Sequence, residues 1–208
     1  MKRGWQKGFT LLELLGGIAI IAILAVIVLS SASRIFGNAN GVRCVANQKY
    51  LFQLIQRYAL ENNGVIPAPS GTMSWWTRLG LMDTPAYDAR NAARNKLFIC
   101  PAAASTFPGG KAMRTYALNN EGFSSADSVP LARNSRPATT LLLIDGRSNT
   151  ADSYDTVAYF RASTWPRLSD WADARHDGKF SGLFLDGHVQ LMSLDDPMIN
   201  EYVINFGR

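Results

Sequence analysis

The sequence predicts an α+β fold, with one long N-terminal helix packed on a small antiparallel β-sheet. Three observations carry that prediction. An apolar run from Phe9 to Leu29 continues into a stretch with helical spacing. That stretch meets a breaker cluster, Asn62-Asn63-Gly64 followed by Pro67. Short strand-like segments then crowd the C-terminal third, two of them joined at Asp186-Gly187, and Asp-Gly is the strongest short hairpin signal.

The apolar run of about 21 residues would be about 31 Å long as a helix, close to the bilayer's hydrocarbon thickness of about 30 Å. It exceeds the apolar core of a cleaved secretory signal, about 7–15 residues. The expected organisation is therefore a short leader over 1–8, a transmembrane half-helix over 9–30, an amphipathic half over 31–63 and a globular domain over 64–208. Ile35, Val42, Val45, Phe52, Ile55 and Tyr58 recur near helical spacing and define the face expected to pack on the sheet. Within the domain, 74–79 reads as a short helix or a packed loop, and 97–101 as an extended stretch ended by proline. Strands are expected at 114–119, 139–144 and 157–162, and a hairpin from 181–185 and 188–192.

The chain has 208 residues, 47% hydrophobic and 18% charged, enough to bury a real core and too apolar for low-complexity disorder. Its formal net charge of +5 is concentrated in residues 1–60, where seven Lys or Arg face the single acid Glu13. The remaining domain is nearly neutral and carries no basic stripe, so nucleic acid is not an expected partner. Lys2, Arg3 and Lys7 precede the apolar run, and Arg34, Arg43 and Lys49 follow it, a small bias toward a cytoplasmic N-terminus.

Glu13 is the anomaly of the apolar run. A carboxylate one turn into a membrane helix costs several kcal/mol unless paired, which makes it a functional candidate. Gly8 directly precedes Phe9, with Glu13 fifth counting from Phe9, after a short basic leader. This pattern, Gly8-Phe9-Thr10-Leu11-Leu12-Glu13, resembles the class III signal of type IV pilins and type II secretion pseudopilins. The resemblance implies cleavage between Gly8 and Phe9 by a prepilin peptidase, N-methylation of Phe9, and a pilin-like fold. It also implies a bacterial inner-membrane precursor with its domain outside the cytosol, drawn by an assembly platform into a filament with other pilin-like subunits. Physical chemistry supplies a role for Glu13, because the new ammonium on Phe9 needs a buried partner, and a neighbouring subunit's carboxylate provides one.

Cys44 and Cys100 would both lie outside the cytosol, where a disulfide can persist, although two buried free thiols are the other reading. His176, nine residues, then Asp186-Gly187 resembles the prepilin-type proteins with a His-x9-Asp-Gly processing-associated domain, abundant in planctomycete and verrucomicrobial bacteria. Tyr58-Ala59, Cys100-Pro101 and Thr115-Tyr116-Ala117-Leu118-Asn119 resemble the same group. His176, Asp186 and His188 form a candidate cation site for calcium or zinc, with Asp145 or Asp177 completing a shell. The competing and favoured reading is structural: Asp186-Gly187 makes the turn, and His176 stakes it down through a hydrogen bond to Asp186 or to a turn carbonyl. No nucleophile stands at a readable spacing from a base, so no enzyme is expected. The tryptophans at 75, 76, 165 and 171 read as core or interface wedges. The expected role is thus a structural filament subunit, and its rival is a membrane-anchored module that binds a ligand or exported substrate.

Overall fold

The computed structural model describes residues 11–68, 73–83, 96–105, 114–120, 130, 134–148, 159–160 and 168–204. The chain divides into two compact units, Met1–Ala39 and Asn40–Arg208. Helix α1, Leu11–Glu61, is a single 51-residue element. Its early apolar residues are exposed, Leu14 at 63% and Ile21 at 67%. Among the described residues, no helix is long and apolar enough to cross a membrane.

In the second unit α1 buries one stripe, Cys44, Gln48, Leu51, Ile55 and Tyr58, spaced by four, three, four and three residues. This corrects the face expected from hydrophobicity alone, since Val42 is 70% exposed and Phe52 only partly buried. Cysteine and glutamine occupy the stripe because both have specific partners across the interface, described below. The helix stops as its sequence demands. Asn63 (φ 56°) takes the left-handed conformation, Gly64 (φ 77°) follows it, and Gly64 N–H donates to Ala59 O at 2.7 Å, six residues back inclusive.

Helix α2, Trp75–Asp83, drives Trp75 and Leu79 into the core. The stretch 97–101 is not extended. Two 3-10 turns, Lys96–Phe98 and Pro101–Ser105, flank Ile99 and Cys100. Proline opens the second turn, where its missing N–H is no loss, instead of closing a strand.

Five strands follow: β1 Tyr116–Asn119, β2 Leu141–Asp145, β3 Tyr159–Phe160, β4 Lys179–Phe184 and β5 Val189–Ser193, with a short helix α3, Ile199–Ile204, at the end. Their order is β3-β1-β2-β4-β5. Four strands are antiparallel, as expected. The edge strand β3 is parallel to β1, with Leu118 opposite Tyr159. Parallel pairing requires a crossover, and here β2 lies within that connection, a relation no local pattern reveals.

Apart from the outer strand β5, which is largely exposed, the sheet is buried on both faces. Tyr116, Leu118, Leu143 and Leu183 pack with the α1 stripe, Trp75 and Phe98. Ala117, Ile144, Phe160, Phe180, Phe184 and Met192 form a second core with Leu168 and Ile199. Two-sided burial is why 141–144 reads as an unbroken apolar run. A register shift between Leu141 and Leu143 places Leu142 and Leu143 on the same core, so Asp145 at the strand's end turns toward β4 and its Ser181.

Candidate functional site: a buried cysteine, histidine and aspartate centre

The centre is assembled from four distant parts of the sequence. Cys44 comes from the buried stripe of α1. Cys100 sits between the two 3-10 turns, its N–H donating to Thr115 Oγ1 at 2.6 Å. The two form a disulfide with Cα atoms 4.9 Å apart, and both are fully buried.

His176 reaches them through a turn. Asp177 (φ 52°) and Gly178 (φ 76°) are both left-handed, and His176 and Lys179 exchange backbone hydrogen bonds of 2.9 and 3.0 Å. That is a two-residue loop of the mirror-image type that Asp-Gly favours. It fixes a buried imidazole whose Nε2 lies 3.4 Å from Cys100 Sγ and 3.0 Å from Asp145 Oδ2.

Asp145 is fully buried, and its Oδ2 is the hub. It accepts from Ser181 N at 2.8 Å, from Ser181 Oγ at 2.7 Å and from His176 Nε2. Ser181 Oγ in turn accepts from Gln48 Nε2 at 2.8 Å, which accounts for a glutamine in the helix stripe. Burial alone would raise the Asp145 carboxyl, but the Arg175 guanidinium, the His176 hydrogen bond and charge, and the Ser181 hydroxyl outweigh it. The carboxyl is held below its ordinary value. Arg175 is anchored by Asp173 Oδ2 at 3.0 Å and donates to Gly146 O. The same burial, reinforced by the Asp145 charge, pushes the Tyr116 phenol far above its ordinary value, and its hydroxyl donates to Cys44 O at 3.5 Å.

This geometry overturns the sequence-based grouping of His176 with Asp186 and His188. Asp186 and His188 form a separate pair, Nδ1 to Oδ1 at 2.6 Å, on the outer hairpin, with the His188 side chain 42% exposed. His188 stacks on Phe184 at 4.2 Å. The hairpin loop is also longer than a two-residue turn. Phe184 N–H donates to His188 O, Gly187 N–H donates to Phe184 O, and Leu185-Asp186-Gly187 forms a three-residue loop with Gly187 left-handed at φ 91°. A Cβ on Gly187 would lie 2.5 Å from the Phe52 ring, so this glycine lets the hairpin tip close onto α1.

His176 therefore stakes its turn to Asp145 and the sulfur pair instead of to Asp186. Two signals pointed there. Asp177-Gly178 is itself an Asp-Gly hairpin signal, and Asp145 is a charged residue ending an apolar strand, where only a partner justifies it. One ring nitrogen faces both sulfur and carboxylate, whereas a nucleophile–base relay uses the two nitrogens for different partners.

Gly8 and Phe9 lie outside the described residues. Glu13 is on the first turn of α1, its side chain exposed. Residues 6–29 match the family described as the prokaryotic N-terminal methylation motif. No curated protein and no solved structure matches the chain. The match spans Gly8, Phe9 and Glu13, and with it the chain carries the N-terminal signal of a type IV pilin or pseudopilin-like precursor.

Proposed function

We propose that this protein is a structural subunit of a type IV pilus-like or type II secretion pseudopilus filament. The observation that carries the reading is the methylation motif over residues 6–29, in register with Gly8-Phe9 and with Glu13. On this reading a prepilin peptidase cuts after Gly8 and methylates Phe9. The precursor waits in the bacterial inner membrane as a single-pass protein with its N-terminus in the cytoplasm. An assembly platform then draws α1 into a bundle of like helices.

Exposure along α1 supports an intermolecular role. Leu14, Leu15, Ile18, Ile21 and Leu24 are each more than half exposed. So large an apolar surface is costly in water, and lipid before assembly or neighbouring helices after it would cover it. The reading assigns no catalytic step and no resident cofactor. The His176-x9-Asp186-Gly187 segment supports membership of the prepilin-type group with that motif, with the motif serving the architecture of the domain.

The test is the mature N-terminus, determined by intact mass and terminal sequencing from membranes with an active prepilin peptidase. A chain beginning at methylated Phe9 is expected. A chain still beginning at Met1, with the peptidase cleaving a control substrate, would reject the reading and leave a membrane-anchored binding module. Glu13→Leu should remain membrane-inserted and still be cleaved, yet enter filaments poorly. Parental filament yield from that variant would refute the pairing of Glu13 with the Phe9 amine.

A further inference from the structure

We propose that Cys44, Cys100 and His176, with Asp145 as a fourth donor, form a zinc-class metal site when the Cys44–Cys100 bond is reduced. The centre would then have two alternative closures, a disulfide or a metal ion. The sulfur and nitrogen donors already lie within 4.8 Å of one another. His176 Nε2 faces Cys100 Sγ at 3.4 Å and Asp145 Oδ2 at 3.0 Å. Tetrahedral zinc, with bonds of about 2.0–2.3 Å, sets its donor atoms roughly 3.3–3.8 Å apart. Once the sulfur–sulfur bond opens, small side-chain movements suffice to meet that spacing.

Donor chemistry selects the ion. Two thiolates, an imidazole and one carboxylate suit zinc and disfavour calcium, which takes six or more oxygens. The charge also closes. A divalent ion with two thiolates and one carboxylate has one net negative charge, and the Arg175 guanidinium acts on Asp145 from beside it. Asp145 Oδ1 is buried with no hydrogen-bond partner among the described residues, so the carboxylate has acceptor capacity beyond Ser181 and His176.

The interconversion balances. A dithiol reductant gives two electrons and two protons to the Cys44–Cys100 bond and becomes a disulfide itself. Zinc then replaces the two thiol protons. In the reverse direction a disulfide oxidant takes two electrons from the thiolates, the protein bond re-forms and the ion leaves.

The experiment uses the full chain in detergent, reduced with a phosphine under argon and titrated with cobalt(II) as a spectroscopic stand-in for zinc. One cobalt per chain is expected, with thiolate charge-transfer and tetrahedral absorption bands that zinc abolishes, and no such bands from the oxidised chain. His176→Gln keeps a donor for Asp145 but is a poor metal ligand, and should weaken binding by about tenfold or more. Near-UV circular dichroism is followed in parallel. If reduction loosens the domain, zinc should restore its signal. A reduced chain that stays spectroscopically silent with cobalt overturns the proposal, as does one that zinc fails to restore. Unchanged affinity in His176→Gln does so too.

Discussion

Two Asp-Gly turns stand nine residues apart, each beside a histidine, and they serve opposite ends. Asp177-Gly178 makes a two-residue loop, and the histidine before it is buried against Asp145 and the disulfide. Asp186-Gly187 belongs to a three-residue loop, and the histidine after it lies at the surface, partly exposed, against the carboxylate of its own turn and the Phe184 ring. The dipeptide specifies a turn but not its length, and it does not choose the partner of a neighbouring histidine. That choice follows from which side of the sheet the flanking strand presents.

The contrast is open to breakage, and His176→Ala should do the most damage. It leaves the buried Asp145 carboxylate without its imidazole, and stranding one member of a buried pair costs about 3–5 kcal/mol. Chemical denaturation of the oxidised chain reads this directly. A loss under about 1 kcal/mol would mean that Ser181 and Arg175 satisfy Asp145 unaided.

Acid should act on the same network. Because the folded Asp145 carboxyl lies below its ordinary value of 3.8, its contribution is fully present above that value and drains away as pH falls through the lower folded one. Near-UV circular dichroism should therefore hold from neutral pH down past the ordinary carboxylate range and fall only below it. Asp145→Asn should erase that step.

Gly187→Ala comes next. It adds a left-handed alanine and drives Cβ into the Phe52 ring, so about 2–3 kcal/mol is expected. Gly178→Ala shares the backbone strain but meets nothing within 4 Å, and should cost about 1 kcal/mol. Equal losses at the two glycines would show that the contact with Phe52 contributes nothing. His188→Ala should be mildest, about 0.5 kcal/mol or less, because its contact with Asp186 is at the surface, and the acid transition should not move.

The long helix, its stop at Asn63-Gly64, strands β1 and β2 and the outer hairpin were legible because each has a local cause: periodicity, a left-handed cap, an apolar run, an Asp-Gly turn. The buried face of α1 was legible only in part. Cys44 and Gln48 belong to it through partners 56 and 133 residues away, which hydropathy does not register. The parallel pairing of β3 and the register shift at Leu142 depend on strand order, a global property. At the candidate site, His176 stood out, while Asp145 entered only as an alternative to Asp177 for completing a shell around it, and their direct pairing was not expected. Asp145 ends an apolar strand 31 positions upstream, whereas Asp186 sits in the same motif and looked the nearer partner.

The Cys44–Cys100 bond also has a mechanical meaning. It closes a covalent ring around residues 45–99, which holds the last four turns of α1, the Asn63-Gly64 stop and helix α2. Tension entering along the chain from its N-terminal side arrives at Cys44 and can cross through sulfur to Cys100, and so to the segment leading into the sheet. The ring's contents are thereby excused from transmitting the pull. With that bond reduced, the same tug would run through residues 45–99 themselves, and only their non-covalent packing would keep them from extending.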